Sequence, residues 1–116
     1  MEKSKTERIN EIQNLITETV SKITELEYEG IHLSRFLLSQ ERGRDYMIEK
    51  FNEMYQPGKT PPTTQMVNLM NSNIASRHTK ISEADTMIEE NDKKIKKSKE
   101  WLEELKTLLA EIEDGK

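Results

Sequence analysis

Apolar residues recur every seven positions along the second half of the chain, at Val67, Ile74, Ile81, Ile88, Ile95, Leu102 and Leu109. A spacing held over that distance defines one stripe on a long helix, and the stripe leaves water only by facing another helix. The first half answers with Ile9, Ile12, Ile16, Ile23, Leu26, Leu33, Leu37, Met47, Phe51 and Met54, separated by steps of three and four or their multiples. The pattern predicts an all-α chain of two long helices.

Local signals set the bounds. Ser4 followed by Glu7 forms an S-x-x-E capping box, in which the hydroxyl takes a free amide of the first turn and the carboxylate reaches back. Helix 1 is therefore expected from about residue 5 to Tyr55, before Pro57 and Gly58, since a residue preceding proline avoids the helical region and glycine accepts a left-handed one. The loop is residues 56–63, QPGKTPPT. Helix 2 follows from about 64 to 113, capped by Thr60, Thr63 or Thr64 and closed by Gly115. So short a connection favours an antiparallel hairpin. Residues whose numbers total about 118 then lie opposite each other, counting outward from a loop centre near Lys59.

With Ile9 as heptad position a, the seam is interrupted by Thr19, Gly30, Gln40 and Arg44 on helix 1, and by Arg77, Asn91 and Ser98 on helix 2. Asn91 reads as a register-setting polar residue. Gly30 and Gly43 each cost a helix interior about 1 kcal/mol relative to alanine, so each marks a kink or a close helix approach; a turn at Gln40–Arg44 would split helix 1. Apolar residues also overflow the seam: Leu15, Val20, Tyr28, Ile31, Phe36, Leu38 and Ile48 on helix 1, then Met66, Leu69, Met87, Trp101 and Leu108 on helix 2. A lone hairpin buries one narrow stripe per helix and leaves the rest wet. Dimerisation of two hairpins into a four-helix bundle is the economical expectation.

Composition narrows the chemistry. In 116 residues, 33% are hydrophobic and 34% charged with both signs interspersed, which suits a single domain of long helices with solvated outer faces. There is no cysteine, so thiolate nucleophiles, thiolate zinc sites and disulfides are excluded. The opening MEKSKTERINEIQ has no apolar signal-peptide core, and no stretch approaches the roughly 20 apolar residues that span a bilayer. The expectation is a cytoplasmic protein with no membrane contact. A net charge of −4 disfavours adhesion of the whole molecule to nucleic acid.

The search for a reactive constellation yields little. Glu29 and His32 share a helix face at the Glu-x-x-His spacing of di-metal bundles, but such a site needs a second pair, and His78 has no acidic neighbour in sequence. PGKT lacks the earlier glycine of a phosphate-binding loop. Glu89 with Glu90, and Glu103 with Glu104, read as exposed helix charge. The lysine run Lys93, Lys94, Lys96, Lys97 and Lys99 falls opposite Glu18, Glu25, Glu27 and Glu29, where it serves as a charged face. No catalytic residue, metal ligand or cofactor site is assigned, and the chain is read as not an enzyme.

Two surfaces near the loop stand out. From Met54 to Ser82 there is no acidic residue, while Arg42, Arg44, Lys59, Arg77 and His78 gather toward that end; such groups bind phosphate or carboxylate through multiple hydrogen bonds. Tyr46, Tyr55 and Leu69 are candidate anchors for a partner, whereas Met66 and Met70 are read as core. Many coiled-coil adaptors, scaffolds and regulators of bacteria and their viruses share this outline, an analogy of fold alone. The leading functional expectation is a homo-oligomeric, non-enzymatic module that binds another protein as scaffold, adaptor or inhibitor. The alternative is a binder of an anionic ligand, such as a nucleotide, a second messenger or nucleic-acid phosphate, at the basic end.

Overall fold

The computed structural model describes residues 3–115. The chain is all-helical, two long helices joined as a hairpin: α1 (Lys5–Glu53) and α2 (Thr64–Glu113). No helix is long and apolar enough to cross a membrane.

The helix ends follow their local chemistry. Ser4 Oγ accepts the Glu7 amide at 3.1 Å, and Thr63 Oγ1 accepts the Met66 amide at 3.2 Å, each satisfying a first-turn donor that has no carbonyl partner. Helix 1 stops two residues short of the Tyr55 expected from sequence. Its last amides, Met54, Tyr55 and Gln56, bond to carbonyls three residues back, so the chain tightens before Pro57 forces it out of helical geometry. Gln56 to Lys59 then form a reverse turn closed by Lys59 N–H to Gln56 carbonyl at 3.3 Å. Pro57 occupies its first central position and Gly58, at φ 85°, its second, the arrangement of a type II turn. Gly115, at φ 79°, lies just past the end of α2.

The chain divides into two compact units: unit 1 holds α1 through Gly30 with α2 from Glu90 onward, and unit 2 is Ile31–Glu89. Within unit 1 the helices run antiparallel, with the Asn91 side chain on the Leu26 carbonyl and Thr19 sharing a groove with Ser98. Within unit 2, Arg77 reaches Gln40. Both units keep the register expected from the loop centre to within a residue.

Two heptad stripes line the seam on each helix. On α2 the prominent aliphatic stripe, Val67 to Leu109, is only half-buried. The deeper stripe lies three residues on: Met70, Ala84, Asn91, Ser98 and Leu105 are buried, with Arg77 and Ile112 half-buried. On α1 the buried residues are Ile12, Thr19, Ile23 and Leu26. The deepest line of the seam thus carries small and polar side chains where a typical coiled coil has leucine. Every apolar residue expected outside the seam is exposed, from Leu15 through Leu108. Of the two methionines read as core, Met70 is buried, but Met66 is 43% exposed, because it precedes the Val67 stripe by one residue and falls on the flank.

Neither α1 glycine breaks the helix, and each admits a polar side chain from α2. A Cβ on Gly30 would stand 3.0 Å from Asn91 Nδ2. Its absence lets that amide donate to the Leu26 carbonyl at 2.9 Å, one turn back along α1. A Cβ on Gly43 would stand 2.1 Å from Arg77 Nη1 and 2.5 Å from its Cζ, so the guanidinium rests directly on the glycine backbone. No turn splits α1 at Gln40–Arg44.

These two glycines separate by experiment. Alanine favours a helix interior over glycine by about 1 kcal/mol at either site. At Gly43 the obstacle is the far end of a flexible side chain, which can move aside. At Gly30 it is a buried amide already bonded to backbone. Gly43→Ala is therefore expected to raise stability by roughly 0.5–1 kcal/mol, and Gly30→Ala to gain nothing or lose stability. Urea unfolding followed by helical circular dichroism measures both, and equal gains would contradict the Gly30–Asn91 contact.

Candidate functional site

In an antiparallel pair the positions flanking the seam sort onto two sides, e beside e and g beside g. Unit 1 shows both. On the g side, Leu15, Glu18, Thr19 and Lys22 of α1 and Lys97, Ser98 and Trp101 of α2 line a groove of about 360 Å³. Its floor is the Thr19 and Ser98 layer, where short side chains leave depth. Thr19 Oγ1 turns back to the Leu15 carbonyl at 2.6 Å, so its hydroxyl is satisfied within its own helix. Trp101 and Leu15 form the apolar walls, 46% and 40% exposed.

The e side of unit 1 differs in charge. Val20, Ile23, Thr24, Glu27, Lys99, Leu102 and Glu103 line a second groove of about 400 Å³. Glu27 and Lys99 form an ion pair across it at 3.8 Å. This is the one ion pair among the described residues that joins the lysine run to the opposing glutamates; both groups are exposed, so it contributes little to stability.

In unit 2 the five basic residues differ in burial and in partners. Arg77 sits half-buried in the seam, with Nε donating to Asn73 Oδ1 at 3.0 Å and Nη1 to Gln40 Oε1 at 3.4 Å. Arg44 is a seam residue whose Nε donates to Asp45 at 3.1 Å. Arg42 and His78 are exposed, and Lys59 is exposed in the loop turn. The amide partners of Arg77, Gln40 and Asn73, accept from its guanidinium without neutralising it.

The candidate anchors also separate. Tyr46 and Leu69 occupy c positions at matching levels of the two helices, on the g side of unit 2, and are 57% and 65% exposed. Lys50 Nζ lies 5.4 Å from the centre of the Tyr46 ring. Its hydrogen bond to Glu53, with the attraction of that carboxylate, raises the lysine above its ordinary value. A raised lysine pKa means that this contact persists through neutral pH and is lost only as pH climbs past the ordinary lysine range. Tyr55 lies beyond α1, its ring 5.2 Å from that of Phe51 and tilted by 54°.

Among the described residues no group of three or more His, Asp or Glu side chains gathers to hold a metal ion. The pairing of Gly30 with Asn91 and of Gly43 with Arg77 was not anticipated as such. The usable signal was the presence of two glycines and two polar seam residues near matching levels of an antiparallel register. No protein-family model, curated protein or solved structure matches the chain.

Proposed function

We propose that this protein is a non-enzymatic interaction module: a self-associating helical hairpin, built as a four-helix bundle of two copies, that presents a further surface to another protein as scaffold, adaptor or inhibitor. The carrying observation is its surface. A compact folded chain of 13.6 kDa exposes about 6,600 Å², whereas this one exposes 8819 Å². Among the described residues, fourteen large hydrophobic residues are exposed and only six hydrophobic residues are buried. The excess of roughly 2,200 Å² per chain is of the size that stable homodimers cover.

Tyr46 and Leu69 supply the surface for the heterologous partner, since both are large, more than half exposed and on one side of unit 2. A photo-crosslinking side chain placed at position 46 or 69, in cells that produce the protein natively, tests this. A discrete protein adduct at these positions and none at the exposed position of Glu100 supports the reading. Equal labelling at all three, or none at any, contradicts it.

A second reading rests on Arg77, whose guanidinium is held by amides and by no carboxylate, in a stretch free of acidic residues from Met54 to Ser82. An anionic ligand such as a nucleotide would meet an oriented, uncompensated positive charge there. Calorimetric titration with nucleoside triphosphate tests it: binding that weakens about tenfold or more in Arg77→Ala, with helicity unchanged, supports an anion site. No binding by the native chain removes it.

A further inference from the structure

We infer that the g side of unit 1, centred on Leu15, Trp101 and Leu108 over the Thr19–Ser98 layer, is the surface that a second copy of this chain covers. The inference rests on the proposed self-association and assigns it a place. Three observations carry the inference. The first, the surface excess of the whole chain, sets the area a partner covers at on the order of 2,000 Å², and the other two place that partner.

The second is the set of large apolar side chains exposed on this face. Trp101 and Leu108 are one heptad apart on α2, and Leu15 lies across the seam from Trp101. Leu15 and Trp101 line a groove of about 360 Å³ together with the short side chains of Thr19 and Ser98. A large side chain from outside can enter there, as a knob enters a hole between four residues. An indole in a desolvated pocket is the commonest kind of interface anchor.

The third is charge. Glu18 on α1 and Lys97 on α2 stand on opposite walls of the groove, and among the described residues neither has an ion partner within the chain. A two-fold axis parallel to the helices sets each α1 segment against the α2 segment of the other copy, at the same level. Each Leu15 then meets the other copy's Trp101, and each Glu18 meets the other copy's Lys97. The surface is self-complementary, as an isologous interface must be. On the e side the facing charges, Glu27 and Lys99, already pair within the chain.

Trp101 is the chain's only tryptophan, so it reports on this face without labelling. The experiment is sedimentation equilibrium on the native chain and on Trp101→Lys and Glu100→Lys, Glu100 being exposed and outside both grooves, with tryptophan emission of the native chain followed on dilution. The native chain and Glu100→Lys are expected to be dimers. Trp101→Lys is expected to weaken dimerisation about 100-fold or more while keeping its helicity, because the side chain is half-exposed in a single copy. Emission of the native chain should move to longer wavelength as dilution separates the dimer. A native dimer whose emission stays fixed across dissociation, or a Trp101→Lys variant that dimerises as tightly as the native chain, overturns this face while leaving self-association intact. A native chain that is monomeric throughout overturns the face and the self-association together.

Discussion

Truncation of Leu105 to alanine is expected to lower stability by about 2–4 kcal/mol, the largest loss from any single apolar deletion in the chain. Leu105 is 2% exposed and, among the described residues, is the one large side chain that is fully buried. It belongs to the deepest stripe of α2, where Ala84, Asn91 and Ser98 provide little apolar bulk. Register places it opposite Ile12, itself buried, so its truncation opens a cavity in the best-covered part of the seam. Urea unfolding measured by circular dichroism at 222 nm checks the value, with Leu69→Ala as the comparison. Leu69 is 65% exposed, and its truncation is expected to change stability by less than about 0.5 kcal/mol. Similar losses at the two positions would mean that the buried line of the seam lies elsewhere.

Sequence periodicity conveys much of this architecture because its signals are local or strictly repeated. The capping serine and threonine, the Pro57–Gly58 turn and the sevenfold apolar spacing each act through a few neighbouring residues or through one constant angle around a helix. The exposed flank was readable for the same reason: Leu15, Trp101 and Leu108 sit one step off the seam. Depth was harder. The aliphatic stripe from Val67 to Leu109 looks like the centre of the interface, yet the line through Ala84, Asn91 and Ser98 lies deeper. Short side chains let the backbones approach, so residues that weaken an apolar pattern can mark the closest packing. The glycine contacts depend on register between residues far apart in sequence. Arg77, a seam residue by spacing, is tied to Gln40 and Asn73, and no local rule reveals those partners.

Asn91 carries the second large effect. It is 4% exposed; its Nδ2 donates to the Leu26 carbonyl, while its Oδ1 is buried with no hydrogen-bond partner. A buried acceptor without a donor costs about 1–3 kcal/mol. Leucine shares the γ-branching of asparagine but is bulkier, and one of its methyls would stand close to Gly30 and to the Leu26 carbonyl, where the Asn91 amide now sits. Asn91→Leu removes the unpaired acceptor and adds crowding, so it is expected to stabilise the chain by at most about 1 kcal/mol. The Leu26 carbonyl keeps its helical bond to the Gly30 amide, so the change leaves no new unpaired group.

Aspartate at the same position should do the reverse. It sets a carboxylate oxygen against the Leu26 carbonyl oxygen in a buried site, with an expected loss of about 3 kcal/mol or more near neutral pH. Burial disfavours the charged form, so the folded-state pKa of this aspartate rises above its unfolded value. The sign follows: the variant is most stable at acid pH, where a protonated carboxyl can donate to Leu26, and loses stability as pH rises. Chemical unfolding of both variants at pH 4 and pH 7.5 measures these effects. A loss of more than about 3 kcal/mol in Asn91→Leu, beyond what crowding costs, would contradict the orphaned acceptor. A native sequence that keeps asparagine at this expense is consistent with a residue that fixes register, since only one alignment brings its amide to an accepting carbonyl beside a glycine.

Self-association is the central claim, and native mass spectrometry of the intact chain tests it most directly. Sprayed from micromolar solution at near-physiological ionic strength, the protein is expected to appear at twice its 13.6 kDa chain mass, and to revert to the single-chain mass on substitution of Trp101 by lysine. A single-chain mass for the native protein at tens of micromolar would contradict the account, since the apolar flank of unit 1 would then be open to solvent or reserved for a different partner.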